Sequence, residues 1–197
     1  MGDIAEKIYS IAVDGPSGAG KSSLAKAIAA ELHILYVDTG AIYRTIGCYA
    51  RRKGVETADT EAIIALLPEV EIGMCYDAQG LQHMLLHGED VTEEIRLPEM
   101  SLYASAVSAI PEVRAFLLEM QRDFARKSSV IMDGRDIGTV VLPHADVKIF
   151  LKADVEVRAR RREIELQERG TPRPYEQVLE EMRQRDYNDT HRSAAPL

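Results

Sequence analysis

Residues 15–22, Gly-Pro-Ser-Gly-Ala-Gly-Lys-Ser, constrain the fold more than any other stretch of the chain. They fit the spacing G-x-x-x-x-G-K-[ST], in which backbone curls around a phosphate. Ile8, Ile11 and Val13 precede the motif in a short β-prone run, and Leu24, Ala25, Ile28 and Ala29 follow it at helical spacing. Gly15, Gly18 and Gly20 let several N–H groups converge on one phosphate, with Pro16, Ser17 and Ala19 between them. The helix that follows adds its positive N-terminal end. Lys21 is placed to reach β- and γ-phosphates, and the Ser22 hydroxyl to bind Mg²⁺.

The remaining chain continues the alternation. Strand readings fall at 8–14, 35–37, 130–133 and 147–151. Helical readings run from the loop to about Leu32, from Ala41 to about Arg52, and over 60–67, 98–110, 111–127, 154–169 and 175–192. This order predicts an α/β fold: a parallel sheet with helices on both faces. Two alternating runs, Val70–Tyr76 and Leu81–His87, read as a hairpin joined by residues 77–80. A compact core needs only a crossover helix there, so residues of about 68–91 read as the heart of a small inserted subdomain.

Composition narrows the partners. At 197 residues and 46% hydrophobic, the chain makes one large domain or a core with an insertion. A net charge of −8 argues against a general nucleic-acid or anionic-membrane surface. No apolar run approaches membrane-spanning length. Asp3, Glu6 and Lys7 interrupt any apolar core at the N-terminus, which reads against a signal peptide. Cys48 and Cys75 form no C-x-x-C pair and suit a reducing cytoplasm.

Asp133 closes an apolar run, where a second Mg²⁺-binding carboxylate belongs. Gly134 follows it, where a motor-type ATPase often carries a glutamate to activate water. This favours transfer to a bound acceptor over hydrolysis. The only asparagine is Asn188, so no Asn-Lys-x-Asp guanine-reading motif exists. The chain holds 17 arginines against 7 lysines, and residues 158–192 contain nine arginines and no lysine. Arginine presents a planar fork suited to phosphate and carboxylate. Arg158, Arg161 and Arg162 share one helical face, as do Arg185, Asp189 and Arg192. Either face also suits plain solvation with salt bridges to Glu163, Glu165 or Asp189. Two substrates that both carry phosphate shift the balance toward a binding site. Eight Asp and Glu interleaved in the same stretch count against nucleic acid. His83 and His87 fall four apart in a strand-like run and read as an ordinary hairpin pair rather than metal ligands.

Four stretches together resemble the bacterial cytidylate kinase family: Gly15–Ser22, Asp38–Arg44, Asp133–Thr139, and Arg185-Asp186-x-x-Asp189-x-x-Arg192-x-x-Ala195-Pro196-Leu197. The similarity spans nearly the whole chain, including Gly88–Val91 and Glu94–Arg96. It implies a single P-loop kinase domain over residues 1–197, a three-layer sandwich with an inserted NMP-binding subdomain at about 60–110 and a helical lid at about 155–172. It further implies Mg²⁺-dependent, reversible transfer of the ATP γ-phosphoryl group to CMP or dCMP by a cytoplasmic monomer.

By the same resemblance, Arg44, Arg135 and Arg192 hold the acceptor phosphate. Ser105, Arg114 and Asp136 read the cytosine, and Arg185 and Asp189 face the ribose. Arg158, Arg161 and Arg162 belong to the lid over the ATP phosphates. Ser23 is counted with the ATP site and Thr39 with the acceptor site. Chains of the family usually continue past the position of Leu197 with another strand and a helix, near which backbone contributes to the adenine site. The nearest rivals are a kinase for UMP or shikimate and an ATP-dependent regulatory module or ATPase.

Overall fold

The computed structural model describes residues 8–197, so the reading of Asp3, Glu6 and Lys7 lies outside the described residues. Strand β1 (Ser10–Asp14) leads through the glycine loop into helix α1 (Lys21–Leu32). Strand β2 (Leu35–Asp38) runs directly into α2 (Thr39–Arg52), and α3 (Thr60–Leu66) follows. The hairpin strands are β3 (Ile72–Tyr76) and β4 (Gln82–Leu86), followed by a two-residue strand β5 (Glu89–Asp90). Helices α4 (Met100–Ala109) and α5 (Pro111–Lys127) lead to β6 (Val130–Gly134). A π-helical turn (Ile137–Val141) precedes β7 (Val147–Phe150), and α6 (Val155–Glu168) and α7 (Tyr175–His191) complete the order.

The main sheet is four-stranded, ordered β2-β6-β1-β7, and every pairing is parallel. Its central strands are apolar on both sides because helices cover both faces. Ile11 and Val13 point to one side, where they pack with Ala25 and Ala29 of α1, Tyr36 and Ile131. Ala12, Val37, Val130 and Met132 point to the other, into a larger core with α2, α4 and α5. The alternation of side chains along each strand thus produces three layers.

The second sheet, β3-β4-β5, is antiparallel. Asp77 shapes its first turn by accepting from the N–H groups of Gln79 (2.9 Å) and Leu81 (2.8 Å). Gly80 takes φ 74° there, a conformation that favours glycine. The sheet shares the larger core through Met84 and Leu86. Polar pins fix its position. The Tyr76 hydroxyl donates to the Tyr36 carbonyl at 2.8 Å, and Gln82 both accepts from Asp38 N–H (2.8 Å) and donates to Asp38 O (3.3 Å).

Parallel register brings the strand ends to one edge. Asp14 lies level with Gly134 and with Phe150, and Asp38 with Asp133. This is the edge at which open α/β sheets bind ligands. Asp14 is buried and accepts from the N–H groups of Ile137 and Gly138, each at 2.8 Å, so it holds the π-helical turn in place. Burial raises its carboxyl pKa, while these two bonds oppose the shift. Asp14→Ala leaves two buried donors without partners. A stability loss of about 2–4 kcal/mol in urea unfolding is expected, with a smaller loss for Asp14→Asn, whose amide oxygen still accepts. Equal stability of wild type and Asp14→Ala would mean that the turn closes without this clamp.

Candidate active site

The glycine loop has its shape for steric reasons. Gly15 takes φ 144°, and a Cβ placed there would lie 2.1 Å from the Leu151 carbonyl oxygen, so only glycine lets the loop pass the end of β7. Gly20 takes φ 96° at the N-cap of α1, with no side-chain cap bond and no acidic residue in the first turn. The free N–H groups of that turn and the positive helix end are therefore available to an anion.

Lys21 opens α1 and is only 5% exposed; its Nζ donates to the Pro16 carbonyl at 2.8 Å. Burial, and then the nearby Arg135 charge, push its ammonium down to about 7. Ser22 Oγ donates to Asp133 Oδ2 at 2.8 Å, and the Tyr36 hydroxyl donates to Asp133 Oδ1 at 2.9 Å. Burial, and then the Asp38 charge, raise the Asp133 carboxyl to about 6. Hydroxyl and carboxylate thus stand together as hard oxygen donors beside the phosphate loop.

Beyond the loop lies a set of arginines, most of them held by an aspartate or a carbonyl. Arg44 pairs with Asp38 at 2.9 Å, and Arg135 with Asp189 at 2.8 Å. Arg114 forms a short pair with Asp136, whose other oxygen lies 3.5 Å from Arg192. Asp136, Asp189 and Arg192 are buried, and Arg192 also donates to the Ala195 carbonyl at 2.7 Å. Arg114 sits 5.6 Å above the Tyr43 ring. Arg185 Nε is buried and has no hydrogen-bond partner among the described residues. Burial, and then Arg135, lower its guanidinium to about 10. The guanidinium still stays charged at neutral pH.

The two arginine faces read from spacing divide differently in space. Arg158 is 3% exposed, donates to Ala153 O and Ser17 O (2.8 and 2.9 Å) and pairs with Asp186. Arg161 is exposed, and Arg162 pairs with Glu165 at 3.1 Å along the same helix. The structure therefore brings Lys21, Ser22, Asp133, Arg135, Arg185 and Asp189 into one electrostatic neighbourhood and leaves Arg161 and Arg162 on the outer part of α6. Thr39 points inward, donating to the Asp133 carbonyl at 2.7 Å, while Ser23 is exposed on α1. Ser105 is half-buried on α4, and its carbonyl accepts from the Ser108 hydroxyl. His83 bonds Asp90 at 2.8 Å within the hairpin.

Sequence reasoning missed Tyr36 and Asp14 as partners of the site. Strand parity offered a signal for Tyr36, since it alternates with Val37 toward the α1 side. Asp186 was legible only as part of a motif, without a partner.

A glycine phosphate loop at the edge of a parallel sheet, facing buried cations, defines a phosphate-loop phosphotransferase. The cytidylate kinase family model matches residues 11–197. A cytidylate kinase of Caldicellulosiruptor saccharolyticus is 50% identical over 191 residues, covering 97% of this chain and 84% of that one. Those of Pelotomaculum thermopropionicum (49%; 95% and 83% covered) and Flavobacterium johnsoniae (44%; 97% and 85% covered) are similar in extent. The chain belongs to the cytidylate kinase family.

Two opposed pH dependences follow for the ligand-free protein. Asp133 titrates near 6 when folded and near about 3.9 when unfolded. The folded state binds the extra proton between these values, so this group's contribution to stability falls as pH rises from about 4 to 6. Lys21 titrates near 7 when folded and near about 10.4 when unfolded. Here the unfolded chain binds the extra proton, so stability rises from about pH 7 to 10. Saturating ATP supplies an anion to the ammonium and is expected to flatten the alkaline rise in urea midpoints. An alkaline rise that ATP leaves intact would place Lys21 away from the phosphates.

Proposed function

We propose that this protein catalyses transfer of the γ-phosphoryl group of ATP to CMP or dCMP, giving ADP and the nucleoside diphosphate. The observation that carries this reading is the cationic cluster of buried Lys21 with half-buried Arg135 and Arg185, whose buried Nε has no partner among the described residues, next to a phosphate loop. The loop accounts for the phosphates of one ligand, and the arginines beyond it suit the phosphate of a second.

Gly15, Pro16, Ser17, Gly18, Ala19 and Gly20 cradle the ATP phosphates with Lys21, Ser22 and Ser23. Mg²⁺ is commonly held by one or two protein oxygens together with substrate phosphates and water, and the touching Ser22 and Asp133 oxygens suit that role. When bound, the ion neutralises phosphate charge. Arg44, Arg135 and Arg192 hold the acceptor phosphate, and Thr39 supports the backbone beside them. Arg185 and Asp189 face the ribose. The segment of about 60–110 closes over the acceptor, and about 155–172, carrying Arg158, Arg161 and Arg162, forms the lid. The protein acts as a monomer, and its substrates and free Cys48 and Cys75 suit the cytoplasm.

The chemistry needs no covalent intermediate and no strong base, since a phosphate oxygen of CMP is already nucleophilic. The chain's task is to align two anions and spread charge from the moving phosphoryl group. Selection of cytosine falls to Asp136, Arg114 and Ser105. A carboxylate accepts from the exocyclic amine, whereas uracil presents an oxygen there. Such a buried mismatch costs about 1–3 kcal/mol, or roughly 5–150-fold.

The test is ADP formation from ATP and Mg²⁺ with CMP, dCMP, UMP, AMP or no acceptor. Turnover confined to CMP and dCMP is expected, whereas equal ADP formation without acceptor would mean an ATPase. In Asp136→Ala the CMP-to-UMP preference is expected to collapse. That ratio is the readout rather than the rate, because Asp136 also holds Arg114 and Arg192. An unchanged ratio would remove Asp136 from base recognition.

A further inference from the structure

Helix α7 presents a stripe that touches both halves of the site. Met182, Asp186 and Asp189 stand at i, i+4 and i+7 and share one face. Met182 lies against the phosphate loop: a Cβ added at Gly18 would meet its Cε at 3.3 Å and Arg158 Cβ at 3.5 Å. Asp186 grips Arg158 through both carboxylate oxygens, while Arg158 Nη1 also donates to Ser17 O at 2.9 Å. Asp189 holds Arg135. The donor loop, the α6 arginine and the acceptor arginine are therefore linked to one rigid element over barely two turns.

Arg158 has five N–H donors, and four of them are engaged here, by Ala153 O, Ser17 O and both oxygens of Asp186. Three of its partners lie on different segments, the loop, the start of α6 and α7. A guanidinium so engaged fixes the loop relative to α7. Any displacement of α7 would therefore reach the phosphate loop through this guanidinium.

We propose that Asp186 is a positioning residue that couples the acceptor site to the phosphate loop, by clamping Arg158 between α7 and the Ser17 carbonyl. This rests on the proposed function for the identity of the two ligands. Its consequence is synergy: CMP tightens binding of an ATP analogue, and the analogue tightens CMP by the same factor.

The experiment titrates a non-hydrolysable ATP analogue into wild type, Asp186→Asn and Asp186→Glu, each with and without CMP. Wild type is expected to gain about fivefold or more in analogue affinity with CMP, and Asp186→Asn less than about twofold. Asp186→Glu, which keeps the charged fork, is expected to retain most of the gain. A role confined to folding would lower the unfolding midpoint but leave the CMP factor intact. Amide hydrogen exchange on wild type makes the same test without substitution, with CMP alone expected to slow exchange across residues 15–20. Synergy in Asp186→Asn equal to wild type, or loop exchange indifferent to bound CMP, overturns the inference. Failure of CMP to bind at all overturns the proposed function and this coupling with it.

Discussion

Concentrated positive charge within an acidic chain is the constraint on which this site depends. Lys21, Arg44, Arg114, Arg135, Arg158, Arg185 and Arg192 gather around one sheet edge although the whole chain carries −8. Left alone, such cations would repel and open the fold. Aspartates divide them instead: Asp38 takes Arg44, Asp136 takes Arg114 and Arg192, Asp186 takes Arg158, and Asp189 takes Arg135. All of these holders are aspartate. A short carboxylate loses little rotamer freedom and positions its partner closely. The pairing is incomplete by design of the chemistry, because Arg185 Nε and Arg44 Nε stay unpartnered. Removing one aspartate from such a pair leaves a charge buried without compensation, which is more damaging than never having had the pair.

The sheet explains why the carboxylates stand where they do. Three neighbouring parallel strands carry Asp14, Asp38 and Asp133 at or one residue before their ends, nearly level in register. Each aspartate has a different task. Asp14 ties down the turn that carries Asp136 toward Arg114, Asp38 caps α2 at Ala41 N–H and pairs with Arg44, and Asp133 meets Ser22 and Tyr36. Their proximity has an electrostatic cost, visible in the Asp133 carboxyl raised first by burial and next by Asp38. Under the proposed function, a cation beside Asp133 and anions beside Lys21 would offset that cost.

Much of this was legible in the chain before any coordinates. The glycine loop, the parallel strands and the flanking helices all follow from periodicity and turn residues, with boundaries off by a residue or two. The π-helical turn at Ile137–Val141 was not legible. Its β-branched residues suit a strand, and the bond that shapes it comes from Asp14, 123 residues away. The strand β5 was too short for any alternation to register. Spacing placed Arg158, Arg161 and Arg162 together, but only burial separates them. Arg158 lies against the loop and α7, while Arg162 closes a local pair with Glu165. Ser105 carried no pattern of its own and entered through family resemblance alone.

An enzyme that moves a phosphoryl group between two anions has to solve a problem of order. If the donor phosphates were fully aligned before the acceptor arrived, water would stand in the acceptor's place. Preorganisation of the donor must therefore depend on the acceptor, and dependence requires a shared part. A loop cannot serve, since it transmits displacement poorly. A helix can, because its residues move together. Helix α7 carries Arg185 and Asp189, with Arg192 just past its end, and sets Met182 against the loop and Asp186 against Arg158. Val178 of α7 meets Ala159 and Leu166 of α6 in a small cluster separate from the two cores of the main sheet. The Asp186–Arg158 pair, which joins α7 to the Ser17 carbonyl, is thus better understood as a linkage than as a stabilising contact: it trades some stability for a fixed relation between two segments.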